Sequence, residues 1–240
     1  MENVNQLIKQ VASPLTVGST ATSAPTTTGT AVNTAPCWID SRLNCFKVAP
    51  NGTLDPVLRK AKEMALQFLR DLATCPAVAD PPGHWLTLLG PVGTGKTMLA
   101  ALILKAWKER LCVWELLPCG VQQWRGGRFL SVCMFKDRVR RFPSEVAGYI
   151  DLLVDYPLLV IDEIGAARDP SGAITDRLFD LLAQRIHKFT IITGNISFES
   201  LSALDERISS RMIRDQNRVV EMNTIDYALP QSGGKRQTND

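Results

Sequence analysis

Eight residues, Gly90-Pro91-Val92-Gly93-Thr94-Gly95-Lys96-Thr97, follow the spacing G-x-x-x-x-G-K-[ST]. These residue types suit a polyphosphate. Glycines let backbone N–H groups turn inward and line a concave anion site, and a helix starting at its rim adds the positive end of its dipole. Lys96 is then placed to reach the β- and γ-phosphates, and Thr97 to offer its hydroxyl to Mg2+. The flanks agree. The apolar run Trp85–Leu89 reads as a strand, and Leu99, Leu102, Ile103, Ala106 and Trp107 fall on one helical face behind the loop. The expected ligands are a nucleotide and Mg2+, with Gly90 through Met98 against the nucleotide. A glycine-rich turn that happens to hold a lysine would not need those flanks.

A second group lies farther along. Leu158-Leu159-Val160-Ile161 runs straight into Asp162-Glu163, as expected of a parallel strand buried on both faces. Ligands of open α/β sheets sit at the carboxyl ends of strands, so both acids would face the nucleotide. Asp162 would hold Mg2+ through its water shell, and Glu163 would polarise the attacking water. This second acid separates a hydrolase from a small-molecule kinase, which has to exclude water. Asn195, after the apolar strand 189–193, reads either as a turn residue or as a hydrogen-bonding partner of the attacking water or the γ-phosphate. A helix from about Phe198 would carry Arg207, Arg211 and Arg214 at i, i+4 and i+7, hence on one face. That face either stabilises charge on a phosphoryl group held by a neighbouring subunit, or pairs with acids such as Asp205 and Glu206 on an ordinary surface helix.

Strands and helices must alternate to bring these groups together. Asp55-Pro56 supplies an N-cap carboxylate and a proline at the first helical position, for a helix to about Leu72 with Leu58, Ala61, Ala65, Phe68, Leu69 and Leu72 on one face. The helix behind the phosphate loop extends to about Arg110, and residues 112–127 read as a strand edge or an inserted loop. Then come a strand over 129–132, a helix from about Phe135, the strand ending in Asp162, a helix over 172–188, the strand over 189–193 and a last strand over 218–222. This alternation specifies a three-layer α/β domain with a central parallel sheet. Arg125, Arg128, Lys136, Arg138, Arg140 and Arg141 stand against a single acid, Asp137, with Trp124, Phe129 and Phe135 interleaved. They read as a surface for single-stranded nucleic acid, or as a solvated helix face with ordinary core aromatics.

The chain has 240 residues, 45% apolar and 21% charged, which suits one α/β domain with an appendage. A net charge of +3 is mild and does not by itself imply nucleic acid. No apolar stretch approaches the roughly 20 residues needed to cross a bilayer, and the N-terminus lacks a signal pattern, so a cytoplasmic protein without membrane contact is expected. Six cysteines, at 37, 45, 75, 112, 119 and 133, form no C-x-x-C pair and read as reduced, structural thiols. Residues 1–11 pattern as a short helix through Val4, Leu7, Ile8 and Val11, either gripping a partner or frayed. Residues 12–36 are uncharged and rich in Ser, Thr, Ala, Gly and Pro, a flexible linker. The ATPase domain is expected over 37–225 and a disordered tail over 226–240.

The four motifs in this order, Gly90–Thr97, Leu158–Gly165, Thr193-Gly194-Asn195 and Glu206–Met212, resemble the DnaC/IstB-like group of AAA+ ATPases. Asn44-Cys45-Phe46-Lys47-Val48 with the Asp55 helix is similar to that family's approach to its ATPase domain, and the resemblance covers about residues 40–225. It implies a P-loop NTPase fold with Lys96 and Thr97 as Walker A, Asp162 and Glu163 as Walker B, and Asn195 as sensor 1. It also implies Arg211 as the arginine finger and Arg207 as a second motif arginine. Fewer than twenty residues follow Met222, which matches the loaders that lack a C-terminal helical lid, and the linker replaces the larger N-terminal region of many loaders. The implied function is an ATP-dependent helicase loader. It would bind a hexameric replicative helicase and single-stranded DNA, in a self-associated or partner-assisted oligomer, with ATP as the switch. Two alternatives stand beside it: a transposition helper ATPase that binds duplex DNA and recruits a transposase, and a P-loop small-molecule kinase, disfavoured by Glu163 and the arginine helix.

Overall fold

A computed structural model describes residues 43–50, 52–74, 83–110, 113–116, 122–165, 169 and 171–227. The expected helix at 1–11 and the linker at 12–36 lie outside the described residues. The elements are α1 (Pro56–Thr74), β1 (Trp85–Leu89), α2 (Lys96–Arg110), β2 (Val113–Leu116), β3 (Gln122–Arg125), β4 (Gly127–Ser131), α3 (Val132–Arg141) and α4 (Val146–Val154). They continue with β5 (Leu158–Ile164), α5 (Ala173–Gln184), β6 (Phe189–Gly194), α6 (Phe198–Leu204), α7 (Glu206–Met212) and β7 (Arg218–Glu221).

Five strands pair in the order β4-β5-β6-β1-β7, every neighbouring pair parallel. Successive side chains of a strand point to opposite faces, and here both faces are covered. Leu86, Leu88, Leu158, Val160 and Ile191 pack with α1 and α2. Trp85, Leu89, Leu159, Ile161 and Ile192 pack with α3, α4, α5, α6 and α7. The result is the three-layer α/β fold expected from the alternation. Among the described residues no helix follows β7, and none is long and apolar enough to cross a membrane.

The six α1 residues expected on one face are all buried. In α2 the pattern differs: Ala100, Ala101 and Leu104 are buried as well as Leu99, Leu102, Ile103 and Ala106 of the expected stripe, and Trp107 is half-buried. This helix lies between α1 and the sheet, so it has no fully wet face to keep polar. Residues 113–116 and 122–125, expected as a strand edge or an inserted loop, pair as two antiparallel strands outside the five-stranded sheet. The α3 helix starts directly after β4, three residues earlier than expected, and α4 was not anticipated at all. The expected long helix from Phe198 is two helices. Asp205 breaks it with an extended backbone (φ −155, ψ 103) and accepts hydrogen bonds from the N–H groups of Arg207 and Ile208, capping α7. Arg207 and Arg211 remain on α7, but Arg214 falls beyond its end. The two described cysteines, Cys45 and Cys133, are free and exposed rather than built into the core.

One buried cation joins the layers. Arg185, fully buried, follows α5 and donates to the carbonyls of Leu153 (3.0 Å), Val154 (2.9 Å), Tyr156 (2.8 Å) and Phe189 (2.7 Å), and to the Thr190 hydroxyl (3.1 Å). Several of these acceptors lie at the C-terminal end of α4, where carbonyls lack intrahelical partners and a cation is favoured. Burial pulls its ionisation down to about 9, partly opposed by Asp155, so the group stays charged at neutral pH. Replacing Arg185 by Ala leaves those carbonyls without donors in a closed site. Urea unfolding of the Arg185→Ala variant is expected to show a loss of about 3–5 kcal/mol.

Candidate functional site

The C-terminal ends of β1, β5 and β6 lie side by side, which follows from the all-parallel order. The phosphate loop leaves β1 there. Gly90, Gly93 and Gly95 have φ of +134°, +77° and +89°, a region L side chains enter only with strain. The loop therefore turns tightly before α2 begins at Lys96. The lysine is 4% exposed, and its amine donates to the Pro91 carbonyl and, at 3.2 Å, to the Thr94 hydroxyl. Burial lowers its pKa, while the carboxylates of Asp162, Asp226 and Glu163 oppose that shift.

Asp162 is 6% exposed. Its Oδ1 accepts from the Thr97 hydroxyl at 2.9 Å and from the Thr193 hydroxyl at 2.5 Å. Burial raises its pKa, against the two hydroxyl bonds and Lys96. Because Thr97 gives its hydrogen to Asp162, the lone pairs of its oxygen stay available to a cation. Hydroxyl and carboxylate oxygens are the ligands a hard divalent ion takes, so the donor set of Thr97 and Asp162 fits Mg2+. Glu163, half-buried, follows with φ +66°, one of only two non-glycine positive φ values among the described residues. Its N–H donates to the Thr193 hydroxyl at 3.0 Å.

The structure brings the phosphate loop, Thr97, Asp162 and Glu163 into one cluster. Asn195 stands beside it, exposed, one residue past the end of β6. There the Gly194 carbonyl accepts from the Gly90 N–H (3.2 Å) and Gly194 pairs with both Leu89 and Ile164. Arg211 is elsewhere. The Asn217 side chain joins the Arg211 carbonyl (2.6 Å) to the N–H of Trp85 (2.6 Å), and Trp85 is the first residue of the strand whose last residue meets the phosphate loop. A five-residue strand separates those points by roughly 15 Å. Arg207 and Arg211 both lie over the Phe179 ring, at 4.4 and 4.8 Å. Arg207 is ion-paired with Asp205 (2.8 Å) and Asp176 (3.0 Å), so for this residue the pairing with Asp205 weighed from the sequence is realised. Arg211 has no such pair among the described residues, and its buried Nη1 has no hydrogen-bond partner.

The basic stretch does not form one stripe. Arg128 is exposed on the edge strand β4, Arg140 and Arg141 are exposed on α3, and Lys136 is half-buried. Arg138 stacks on Tyr149 (4.4 Å) and pairs with Glu145 (3.6 Å), on a flank of α3 well away from Arg140. Of the expected aromatics, Phe129 and Phe135 are core residues, and the side chains of Trp124 and Arg125 lie outside what the structure describes.

Sequence reasoning missed two features. Thr193 stands in the sequence as the end of a strand and the start of the Thr193–Asn195 motif, with no role of its own, although a hydroxyl buried in a strand must find partners and an acid-bearing strand is the natural place to look. The other is a strap after β7. Asp226 and Tyr227, expected in a disordered tail, are packed against the phosphate loop, and the rest of that tail lies outside the described residues. The Tyr227 N–H donates to the Gly93 carbonyl at 3.1 Å, and a Cβ on Gly93 would meet the Asp226 carboxylate at 1.6 Å. On the other side of the loop the Phe46 ring lies 3.0 Å from where a Gly95 Cβ would be. Asp55 ties this frame together. Its Oδ1 caps α1 through the N–H groups of Val57 (2.8 Å) and Leu58 (3.2 Å), and its Oδ2 accepts from the hydroxyls of Tyr227 (2.7 Å) and Thr224. Burial pushes the Asp55 carboxyl up, but the bonds from Thr224, Tyr227, Leu58 and Val57 hold it below the ordinary 3.8.

A carboxyl depressed in the folded state stabilises above its unfolded pKa, and that contribution is lost as pH falls through the folded value. Urea unfolding is expected to show Asp55→Ala less stable than the parent by about 1–2 kcal/mol at neutral pH, with the gap shrinking below about pH 4.

The comparisons with known proteins agree with this architecture. The model of the family described as "ATPase family associated with various cellular activities (AAA)" matches residues 86–219. A search of curated proteins returns no match. Among solved structures the chain is similar to a DnaC helicase loader, at 21% identity over 75% of this chain and 98% of that one, with a TM-score of 0.54. It is also similar to a DNA replication initiation factor, at 17% identity over 75% and 50% of the two chains, TM-score 0.55. The replication initiator DnaA bound to AMPPCP and single-stranded DNA follows, at 15% over 68% and 47%, TM-score 0.52. The chain thus spans about half the length of these last two, and at such identities the likeness establishes the fold.

Proposed function

We propose, for a chain that belongs to the AAA family of ATPases, that it hydrolyses ATP as the timer of a helicase-loading step in DNA replication. The observation that carries this reading is the cluster in which the buried Asp162 accepts from Thr97 while Glu163, half-buried, follows it close enough to act on the charge of Lys96. Residues 90–98 line the phosphates, with the backbone N–H groups from Val92 onward and the Lys96 amine as the donors. Thr97, and Asp162 through the water shell, would hold Mg2+, which would screen the phosphate charge. Glu163 orients and deprotonates the attacking water, and Asn195 hydrogen-bonds it or the γ-phosphate.

Arg211 serves another subunit's nucleotide. Its turn of α7 lies at the far end of β1 from its own phosphate loop. Hydrolysis then depends on assembly, which is what a timer needs. Arg207, held by Asp205 and Asp176, keeps that helix in place. The partners in this reading are a hexameric replicative helicase and single-stranded DNA. Support comes from the likeness to a helicase loader over nearly all of that chain, and to an initiator whose structure holds single-stranded DNA. Arg128, Arg140 and Arg141 are the exposed cations offered to the DNA, with Lys136 and Arg125 as further candidates from the sequence; Arg138 is engaged by Tyr149. The segment 1–11 would clasp the helicase.

Two measurements test this. Glu163→Gln is expected to bind ATP as tightly as the parent and to turn it over about 100-fold or more slowly. Isolated from its host in ATP, the trapped variant should carry a hexameric replicative helicase; a transposase in its place, or no loss of turnover, overturns the reading. Arg211→Ala should lower assembly-dependent hydrolysis by about 1000-fold without weakening ATP binding, read by steady-state turnover and nucleotide titration. Unchanged turnover removes the role in trans.

A further inference from the structure

We propose that Thr193 is a positioning residue that sets Glu163 for hydrolysis, through one hydroxyl shared between the two acids of β5. This rests on the reading of Glu163 as the base. A threonine hydroxyl has a single hydrogen, and here it goes to Asp162 Oδ1 at 2.5 Å. Its lone pairs then face the Glu163 N–H, which donates at 3.0 Å. Both bonds are satisfied at once, and at 1% exposure no solvent competes for the hydroxyl.

The sheet creates the need for it. Ile161 pairs with Ile192 and Ile164 with Gly194, so Asp162 and Glu163 on β5 stand opposite Thr193 alone on β6. That is a bulge, and a bulged residue loses its place in the backbone ladder. The Thr193 side chain supplies the acceptor that the ladder does not. It also holds Glu163 at φ +66°, a left-handed conformation that a glutamate does not keep without support. With the hydroxyl gone, the Glu163 N–H is left unbonded and the backbone relaxes toward extended geometry, re-aiming the carboxylate. The Asp162 end of the bridge survives through Thr97, so phosphate and Mg2+ binding persist while water activation is lost.

The test uses the full chain with Thr193→Val, which keeps the shape and removes the hydroxyl, and Thr193→Ser, which keeps the hydroxyl. For Thr193→Val the kcat for ATP is expected to fall about 10–100-fold, as for other residues that orient a ligand from behind, with affinity for a non-hydrolysable ATP analogue within about threefold of the parent. Thr193→Ser should restore most of the turnover. A second measurement needs no turnover. In the nucleotide-free protein the Glu163 amide should exchange with solvent about tenfold faster or more in the Val variant than in the parent or the Ser variant. Parent-like turnover and exchange in Thr193→Val overturn the proposal. So does loss of analogue binding in step with turnover, which marks a general structural role. Should Thr193→Val not fold, the parent settles the matter: a fast-exchanging Glu163 amide beside its slow neighbours overturns the shared hydroxyl, and a slow one upholds it. A parent that hydrolyses no ATP in any assembly ends the proposed function, and the exchange comparison still decides whether the hydroxyl holds Glu163.

Discussion

A carboxylate taken out of water must be met by donors or give up its charge, and Asp162 is such a group. Burial raises its pKa, and two hydroxyls and an ammonium oppose that shift. Its partners come from three places: Thr97 from the first turn of α2, Thr193 from the end of β6, and Lys96 from the rim of the phosphate loop. None is a sequence neighbour, and each can reach Asp162 only if the strands run the same way and end at the same level. The parallel order β4-β5-β6-β1-β7 therefore does more than bury apolar residues. It puts a hydrogen-bonded acid at the one edge where a helix start and a glycine loop already favour anions.

The loop itself is framed from outside. Phe46 backs Gly95, the strap after β7 backs Gly90 and Gly93, and Asp55 caps α1 while holding the strap through Tyr227 and Thr224. Glycine at position 93 thus answers two demands at once. Its φ of +77° suits the loop, and the absence of a Cβ lets the Asp226 carboxylate approach.

Most of the skeleton was legible in the sequence because it depends on local patterns. The buried face of α1, the Asp55 cap, the apolar strands and the order of motifs are all statements about spacing along the chain. What stayed hidden depends on register and on distant partners. Thr193 becomes informative only once a bulge in β5 sets it opposite two acids. Arg185 is one more basic residue after an amphipathic helix until four carbonyls from two other segments converge on it. The arginines from 207 to 214 looked like one face because their spacing does not announce that α7 stops at Met212, before Arg214. The basic residues between 125 and 141 looked like one surface because composition carries no angle: on the helix they spread around the axis, and Arg138 is taken up by Tyr149.

The left-handed backbone of Glu163 has a consequence for how this protein can change over generations. At φ +66° a glycine would rest more easily than a glutamate, by about 1 kcal/mol. Selection for durability alone would therefore push this position toward glycine. Under the role proposed for the acid, the resulting subunit would be sturdier than its ancestor and would still grip nucleotide, yet would have lost its clock. Mixed into an assembly of active copies, it would act as a brake. In such a lineage the step from active subunit to inhibitor would be a single codon and would run downhill in folding energy, so under that role the glutamate would mark a chain in which turnover outweighs sturdiness.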